Sequence, residues 1–326
     1  MRRLSLSSVR SWQSLAALLV MVLALSLATP KFLTVDNGLN ILRQISVNLC
    51  LSIGLTLVII VGGIDLSVGA VLALSGAVAA GLLQWGLPLP WFDVQLQFTV
   101  VGAVLSAALV GAGAGYANGL TITRLGLPPF VATLAMLSIA RGLTFLWTQG
   151  YPITGLDPGF DSLGNAFALR IPVPVWIVGA LTVAATLLTR QTAFGRHVFA
   201  VGGSERAARL TGLPVNKIKV SVYVLAGILS AIAGVIVTAR LDSAQPNAGT
   251  GYELDGIAAV VIGGTSLSGG RGSIPGTVLG CLIIGVLNNG LALLDVSPFW
   301  QQVIKGTVII VAVALDRLGA REERLT

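Results

Sequence analysis

The sequence predicts an all-α membrane protein that crosses the bilayer about ten times. Hydrophobic residues make up 55% of its 326 positions and charged residues only 10%, whereas a soluble domain carries roughly 25% charged residues. The mean hydropathy of +0.89 agrees, because such a chain must bury its apolar side chains against lipid or other helices. With 40 glycines and few aromatic residues, closely packed helices are favoured over a β-barrel.

Apolar segments approach the length of a membrane-spanning helix, for which roughly 20 residues are needed. They cover residues 14–29, 41–61, 66–83, 97–120, 129–148, 173–189, 219–239, 254–266, 275–294 and 299–316. The third is short and the eighth is shorter still, so either is a candidate half-helix or re-entrant segment shielded by protein. The first segment ends near Ser26-Leu27-Ala28, which also suits a cleaved signal peptide. An uncleaved helix is favoured because many spans follow it.

The distribution of basic residues predicts the orientation. With the N-terminus in the cytoplasm and a change of side after every span, few of the 20 Lys and Arg residues fall outside. Those on the outer side or its helix edges are Lys31, Arg43, Arg170 and Arg240. This positive-inside bias places both termini inside and accounts for the net charge of +7 without a nucleic-acid partner. We expect cytoplasmic tails at 1–13 and 317–326 and a transmembrane domain at 14–316.

A long basic loop at 190–219 lies on the predicted cytoplasmic side and contains the pattern of a short helix. In GGSERAARLTGLPVNKIK, Ser204 can cap the first N–H groups, and Glu205 suits the positive end of the helix dipole. Gly212 and Pro214 then end the helix. The segment is either a basic loop on anionic lipid headgroups or a helix offered to a partner protein.

A second cytoplasmic stretch, GGTSLSGGRGS at 263–273, is similar to the LSGGQ signature of ABC ATPases. A Walker A loop contains a Gly-Lys dipeptide, and this sequence has none. The stretch is therefore predicted to be a tight turn between two spans. A similar turn, VGGIDLSVGA, follows the second span, where Asp65 or Ser67 is expected to cap the next helix and a direct transport role for Asp65 is the alternative. The residues assigned to these two turns as gating elements are Gly62, Gly63, Asp65, Gly263, Gly264, Gly269 and Gly270.

Longer stretches closely resemble the membrane permease subunit of ribose-type bacterial ABC importers. They read GGIDLSVGAVLALSGAVAA, ARLDSAQPNAGTGYELDGIAAVVIGGTSLSGGRGSIPGT and GVLNNGLALLDVS, and the resemblance runs over about 30–317. It implies a multi-pass protein of the bacterial inner membrane, two copies of which form the pathway. Separate ABC ATPase subunits then supply the energy, and a periplasmic binding protein delivers ribose or a related monosaccharide. The chain itself is expected to be no enzyme and to hold no cofactor.

The resemblance also identifies the short cytoplasmic helix as the coupling helix that docks in the ATPase. The residues placed there are Ser204, Glu205, Arg206, Ala208, Arg209, Gly212 and Pro214. On the outer side, 149–170 and 241–254 are expected to meet the binding protein, with Arg170 and Arg240 facing its acidic residues. An ion-coupled secondary sugar transporter, with Asp255 as the coupling carboxylate, is the alternative function.

Uncharged polar residues inside the spans are candidates for the path of a neutral sugar. They are Asn48, Thr56, Asn118, Asn288 and Asn289. Hydrogen bonding between helices is an equally weighted alternative. The charged Arg141, Asp255 and Lys305 are expected to form internal ion pairs or to reach helix ends. Glycines at helical spacing in Gly111–Gly119 and Gly276–Gly280 predict close packing, within one subunit or at a homodimer seam.

The sequence offers little for metal or redox chemistry. Cys50 and Cys281 lie in separate apolar segments and are expected to be buried residues rather than a disulfide or a metal site. The single histidine, His197, has no neighbouring ligand in the sequence, so no metal site is expected.

Overall fold

The computed structural model describes residues 6–89 and 94–322, most of them in helices. The first helices are α1 (Leu6–Ala28), α2 (Val35–Ile60), α3 (Val68–Trp85), α4 (Val100–Arg124), α5 (Pro129–Thr148), α6 (Pro158–Asn165) and α7 (Val173–Gln191). The others are α8 (Ala193–Gly203), α9 (Glu205–Leu210), α10 (Val215–Leu241), α11 (Tyr252–Ile262), α12 (Ile274–Leu293) and α13 (Pro298–Glu322). Helices α1 and α13 extend into the expected tails, of which residues 1–5 and 323–326 lie outside the described residues.

Every predicted apolar segment falls on a helix, which confirms an all-α polytopic membrane protein. In the described part of the chain, seven helices are long and apolar enough to cross a membrane, namely α2, α3, α4, α5, α7, α10 and α12. The third predicted segment corresponds to α3, whose 18 residues meet this criterion. The eighth corresponds to α11, which has only 11 residues and is too short to cross a bilayer by itself. The total of ten crossings and the sidedness of the termini stay predictions.

Helices α2, α3 and α10 form the centre of the bundle. Between 67% and 78% of their apolar windows are buried inside the chain, compared with 22% for α4, α5 and α7. Helix α10 packs against α2, α3 and α4 together. The peripheral helices carry exposed leucines such as Leu105 and Leu109 on α4, as expected of surfaces that face lipid or another subunit.

Glycines permit the close approach of these helices. A side chain at Gly111 would collide with the backbone of Gly227 on α10, and one at Gly115 would collide with the backbone of Tyr223. Gly276 likewise lies against Gly263. Both glycine stripes are therefore used for packing within one subunit, which was one of the two predicted roles.

Among the described residues, three short antiparallel strand pairs, which the sequence analysis did not predict, join loop segments between the helices. Strand β1 (Leu87–Leu89) pairs with β2 (Val94–Leu96), and β4 (Phe167–Ala168) pairs with β5 (Ile171–Pro172). Strand β3 (Ile153–Thr154) pairs with β6 (Ser243–Ala244), with Ile153 opposite Ala244. This last pair ties the loop at 149–172 to the segment that follows α10.

After β6 the chain turns back into the bundle. The backbone of Gly249 lies against that of Gly69, in the first turn of α3. One turn further along α3, the backbone of Leu72 contacts Gly234, which lies about two turns before the C-terminal end of α10. At a rise of 1.5 Å per residue, Gly249 is therefore about 15 Å below the C-terminal end of α10, the end predicted to face outward. The residues 245–251 form a re-entrant segment, from which the short α11 continues.

Candidate functional site

The segment at 190–219, for which a cytoplasmic position is predicted, contains the predicted short helix, now α9, and a helix that was not predicted, α8. The hydroxyl of Ser204 accepts the N–H of Ala207 at 3.2 Å, which confirms the predicted cap. Gly212 follows the helix with a φ of +81°, a conformation that favours glycine. Pro214 occupies the N-cap position of α10. Helix α9 is therefore joined to α10 by a short turn with little conformational freedom.

Glu205 holds α9 against the start of α10. Its carboxylate accepts hydrogen bonds from Arg209 at 2.8 Å and from Lys219 on α10 at 2.6 Å. Arg209 also donates to the side-chain oxygen of Asn216 at 2.9 Å. The bond from Lys219, helped by Arg209, lowers the pKa of the Glu205 carboxyl against the opposing effect of partial burial. The network favours the ionised form of Glu205 and joins α9 to the start of α10.

The outward face of α9 differs from the prediction at two positions. Ala208 is buried at 4% exposure in a cluster with Val215 and Val222, so it supports the helix from beneath and its side chain does not reach a partner surface. Leu210, which the sequence analysis did not select, is 83% exposed. Arg206 and Arg209 are exposed beside it. An exposed apolar side chain beside two cations on a helix is typical of a docking surface.

Behind α9, the backbone of α8 meets the SLSGGR turn and the end of α2. We term this contact the glycine junction; it comprises Ile60, Gly202, Gly203, Gly269 and Gly270. The N–H of Gly270 donates to the Ile60 carbonyl oxygen at 2.9 Å. A side chain at Gly202 would fall on the same carbonyl oxygen and 2.7 Å from the Gly270 nitrogen. The stretch that is similar to an ATPase signature is therefore a turn that docks on α8.

The other turn residues fall into two groups. Gly62 and Gly264 have φ values of +81° and +87° at the ends of α2 and α11, while Gly263 packs on α12. Gly63 lies under the hydroxyl of Tyr223, which leaves no room for a side chain. Each of these positions therefore favours glycine, either because φ is positive or because there is no room for a side chain.

The buried Asp65 does not cap α3 in the predicted way. Its carboxylate accepts the N–H of Ser67 at 2.8 Å and the hydroxyl of Ser67 at 2.6 Å. Ser67 occupies the N-cap position, but its side chain makes no capping bond. Asn118 on α4 donates to the Ser67 hydroxyl at 2.9 Å. Asp65 therefore orients a hydrogen-bond chain between the turn and α4.

The predicted path residues separate into two groups. Thr56 bonds to Thr277 on α12 at 2.6 Å, and Asn118 bonds to Ser67 as described. Asn289 exchanges two hydrogen bonds with Asn37 on α2. All three are buried, and their bonds join helices of the same subunit. Asn48 and Asn288 are partly exposed and remain candidates for the path.

The charged residues within the bundle are held by internal contacts, as expected. Lys305 on α13 pairs with Asp255 on α11 at 2.9 Å. Arg141 on α5 donates to the carbonyl oxygens of Pro246 and Ala248 at 2.7 and 2.9 Å. Arg141 thereby fixes the re-entrant segment from the side of α5.

A bundle of apolar helices, with a braced short helix between α7 and α10 and a re-entrant segment, is the architecture expected of a membrane transport permease. Its sequence contains no Gly-Lys dipeptide for a Walker A loop. The chain belongs to the family described as branched-chain amino acid transport system / permease component, whose profile matches residues 37–313.

Curated relatives match nearly the whole chain. A ribose import permease protein of Haemophilus influenzae is 47% identical and covers 95% of this chain and 94% of its own length. One of Bacillus subtilis is 50% identical, covering 92% and 90%. A D-allose transport system permease protein of Escherichia coli is 40% identical, covering 90% and 87%. No solved structure matches the chain significantly. These bacterial permeases and the seven span-length helices establish a multi-pass protein of the bacterial inner membrane.

Proposed function

We propose that this chain is the permease subunit of an ABC importer that brings ribose or a related monosaccharide into the cytoplasm. The relatives named for ribose import are 47% to 50% identical to it, whereas the one named for D-allose is 40% identical. Ribose is therefore the favoured cargo. The relatives give no support to an ion-coupled transporter, and the carboxylate that such a mechanism would use, Asp255, is paired with Lys305.

The proposal of a separate ATPase rests on the exposed surface of the braced helix α9. Its exposed Arg206, Arg209 and Leu210 present two cations and one apolar side chain to the cytoplasm. A groove of an ATPase subunit with an acidic rim and an apolar floor would accept this surface. Because the chain has no nucleotide-binding motif of its own, ATP hydrolysis is assigned to that partner.

Force applied to α9 has two routes into the membrane. The Glu205–Lys219 bond passes it to α10, and the short link through α8 passes it to α7. The glycine junction adds α2 and the turn between α11 and α12. Closure of the ATPase would thus move several spans as rigid bodies and switch the path between its two openings.

The remaining partners are expected to bind the outer side of the chain and its lipid-facing helices. The exposed apolar faces of α4, α5 and α7 are available to lipid or to a second copy of the chain. The loops at 149–172 and 242–244, joined by the β3–β6 pair, form one outer surface for a periplasmic binding protein. Two copies of the chain under one binding protein complete the proposed importer.

Reconstitution tests this function directly. The purified chain is placed in liposomes with or without the ATPase subunits and the binding protein, and uptake of labelled ribose, D-allose and L-arabinose is measured. We expect ATP-dependent ribose uptake only with the full set, unaffected by collapse of the ion gradients, and no nucleotide hydrolysis by the chain alone. Sugar accumulation by the chain without an ATPase would reject the proposal.

A further inference from the structure

The re-entrant segment presents polar side chains at a depth where lipid would not tolerate them. Asn247 and Thr250 are exposed, although Gly249 between them lies about 15 Å below the outer end of α10. The Thr250 hydroxyl donates to the Asn247 carbonyl oxygen at 2.8 Å. The Asn247 side chain makes no hydrogen bond within the described residues. Its amide is therefore available to an external group.

Irregular backbone at membrane depth occurs where it is buried in protein or lines a water-filled cavity. The inner side of this segment is buried, because Gly249 touches Gly69 and Pro246 lies under Arg141. The side that carries Asn247 and Thr250 is open. A hydrocarbon environment on that side would leave an amide unsatisfied at a cost of several kcal/mol, so water, a polar solute or a polar surface of a second copy must lie there.

The surrounding charges restrict the chemistry of that solute. Arg141 donates hydrogen bonds to two carbonyl oxygens, and its positive charge is also attracted to the carboxylate of Glu253. Glu253 also accepts the N–H of Gly251 at 3.3 Å. With Arg141 and Glu253 each bonded to backbone groups, the open side offers mainly an amide, a hydroxyl and backbone groups. Such groups suit the hydroxyls of a neutral polyol better than an anion.

We propose that Asn247 and Thr250 form a contact point for a neutral, polyhydroxylated substrate inside the translocation path. The site rests on the proposed transport of a sugar and locates one point of that transport. The segment 241–254 then has two roles along its length. Its β6 end belongs to the outer surface, and its tip lines the path.

Thiol labelling tests the position of Asn247. The native cysteines, Cys50 and Cys281, are both buried, so a new thiol can be followed in the otherwise unaltered chain. Asn247→Cys is compared with Tyr151→Cys in the outer loop and with Leu109→Cys on the apolar face of α4, which are 75% and 72% exposed in the native chain. The complete importer is labelled in spheroplasts with a cationic, membrane-impermeant methanethiosulfonate.

We expect Asn247→Cys to react at least about tenfold faster than Leu109→Cys, because the reactive thiolate forms in water and not in an apolar environment. Saturating ribose, with the binding protein and ATP present, should slow the reaction at Asn247→Cys and leave Tyr151→Cys unchanged. Reaction as slow as that of Leu109→Cys would overturn the proposal. So would oxidative cross-linking to a second copy without labelling, or fast labelling that ribose does not slow.

A kinetic measurement separates contact from folding. Asn247→Ala should raise the ribose concentration needed for half-maximal uptake or lower the maximal rate at an unchanged amount of assembled importer, whereas Asn247→Gln should recover part of the loss. Equal uptake by the unaltered importer, Asn247→Ala and Asn247→Gln would also overturn the proposed contact. Failure of ribose uptake in the unaltered importer would instead reject the proposed function, and the contrast between Asn247→Cys and Leu109→Cys would still report whether water reaches the segment.

Discussion

Replacing Gly202 by alanine should separate ATP hydrolysis from sugar uptake. Gly202 lies in α8, where a β-carbon would fall on the Ile60 carbonyl oxygen and lie 2.7 Å from the nitrogen of Gly270. These two atoms are joined by the hydrogen bond that closes the glycine junction. The methyl group therefore cannot be accommodated by a change of rotamer, and α8 has to move away from α2.

The free-energy cost of Gly202→Ala has two parts. Forcing an extra methyl group into a packed site costs about 1–3 kcal/mol, and loss of the Gly270 hydrogen bond adds about 1 kcal/mol. A penalty of only 2 kcal/mol reduces the docked population about thirtyfold relative to the displaced one. Membrane insertion depends on the apolar spans and should not change.

Gly203 provides the matched control. It is the next residue of the same helix, and a β-carbon there would meet nothing within 4 Å. Gly203→Ala should therefore preserve uptake. In liposomes that contain the full importer, Gly202→Ala should retain ATP hydrolysis and lose a large part of ribose uptake, because the ratio of docked to displaced junction falls about thirtyfold. Normal uptake per assembled Gly202→Ala importer would refute the role of the junction.

Three further changes test the bracing of the bundle. Gly212→Val places a β-branched residue at a φ of +81°, which costs about 1–2 kcal/mol; uptake should fall at unchanged membrane abundance while Gly212→Asn retains it, and equal uptake by both would contradict this account of the turn. Glu205→Gln should lower stability by under about 1 kcal/mol because the pair is partly exposed. The lowered pKa of Glu205 means that its contribution is complete above about pH 4.3 and is lost as the pH falls through the folded-state pKa; thermal unfolding should therefore depend less on acid pH in Glu205→Gln, and identical pH profiles would argue against the network. Lys305→Met leaves Asp255 buried without its partner and should destabilise the protein by about 3–5 kcal/mol; addition of Asp255→Asn should restore much of the unfolding temperature, and an unaltered single variant would show that the pair contributes little.

Local sequence patterns were sufficient for the helices and for the cap of α9. Long apolar runs report burial in lipid or protein whatever their partners, so each predicted span coincides with a helix. The pattern of Ser204, Glu205 and Gly212 acts within a few residues, so the short helix was also predictable. Helix α8 was missed because its 11 residues are too few for a span and its apolar side chains pack in the cluster with Val222 on α10.

Contacts between distant residues were not predictable from one sequence. Asn289 and Asn48 are both polar residues in apolar helices, yet the first is bonded to Asn37 and the second is partly exposed. The adjacent Gly202 and Gly203 differ only in which one faces Ile60. The short length of the eighth apolar segment indicated a half-helix, but the depth of the re-entrant segment depends on the contact between Gly249 and Gly69.

The backbone contact between Gly111 on α4 and Gly227 on α10 has a consequence for how this chain can change over generations. Each glycine occupies the space that a methyl group on the other would need, so neither position can acquire a larger residue first. Leu109, one half-turn away and 72% exposed, is free to drift among apolar residues. Saturation mutagenesis under selection for growth on the transported sugar should therefore return two invariant positions beside a highly variable one.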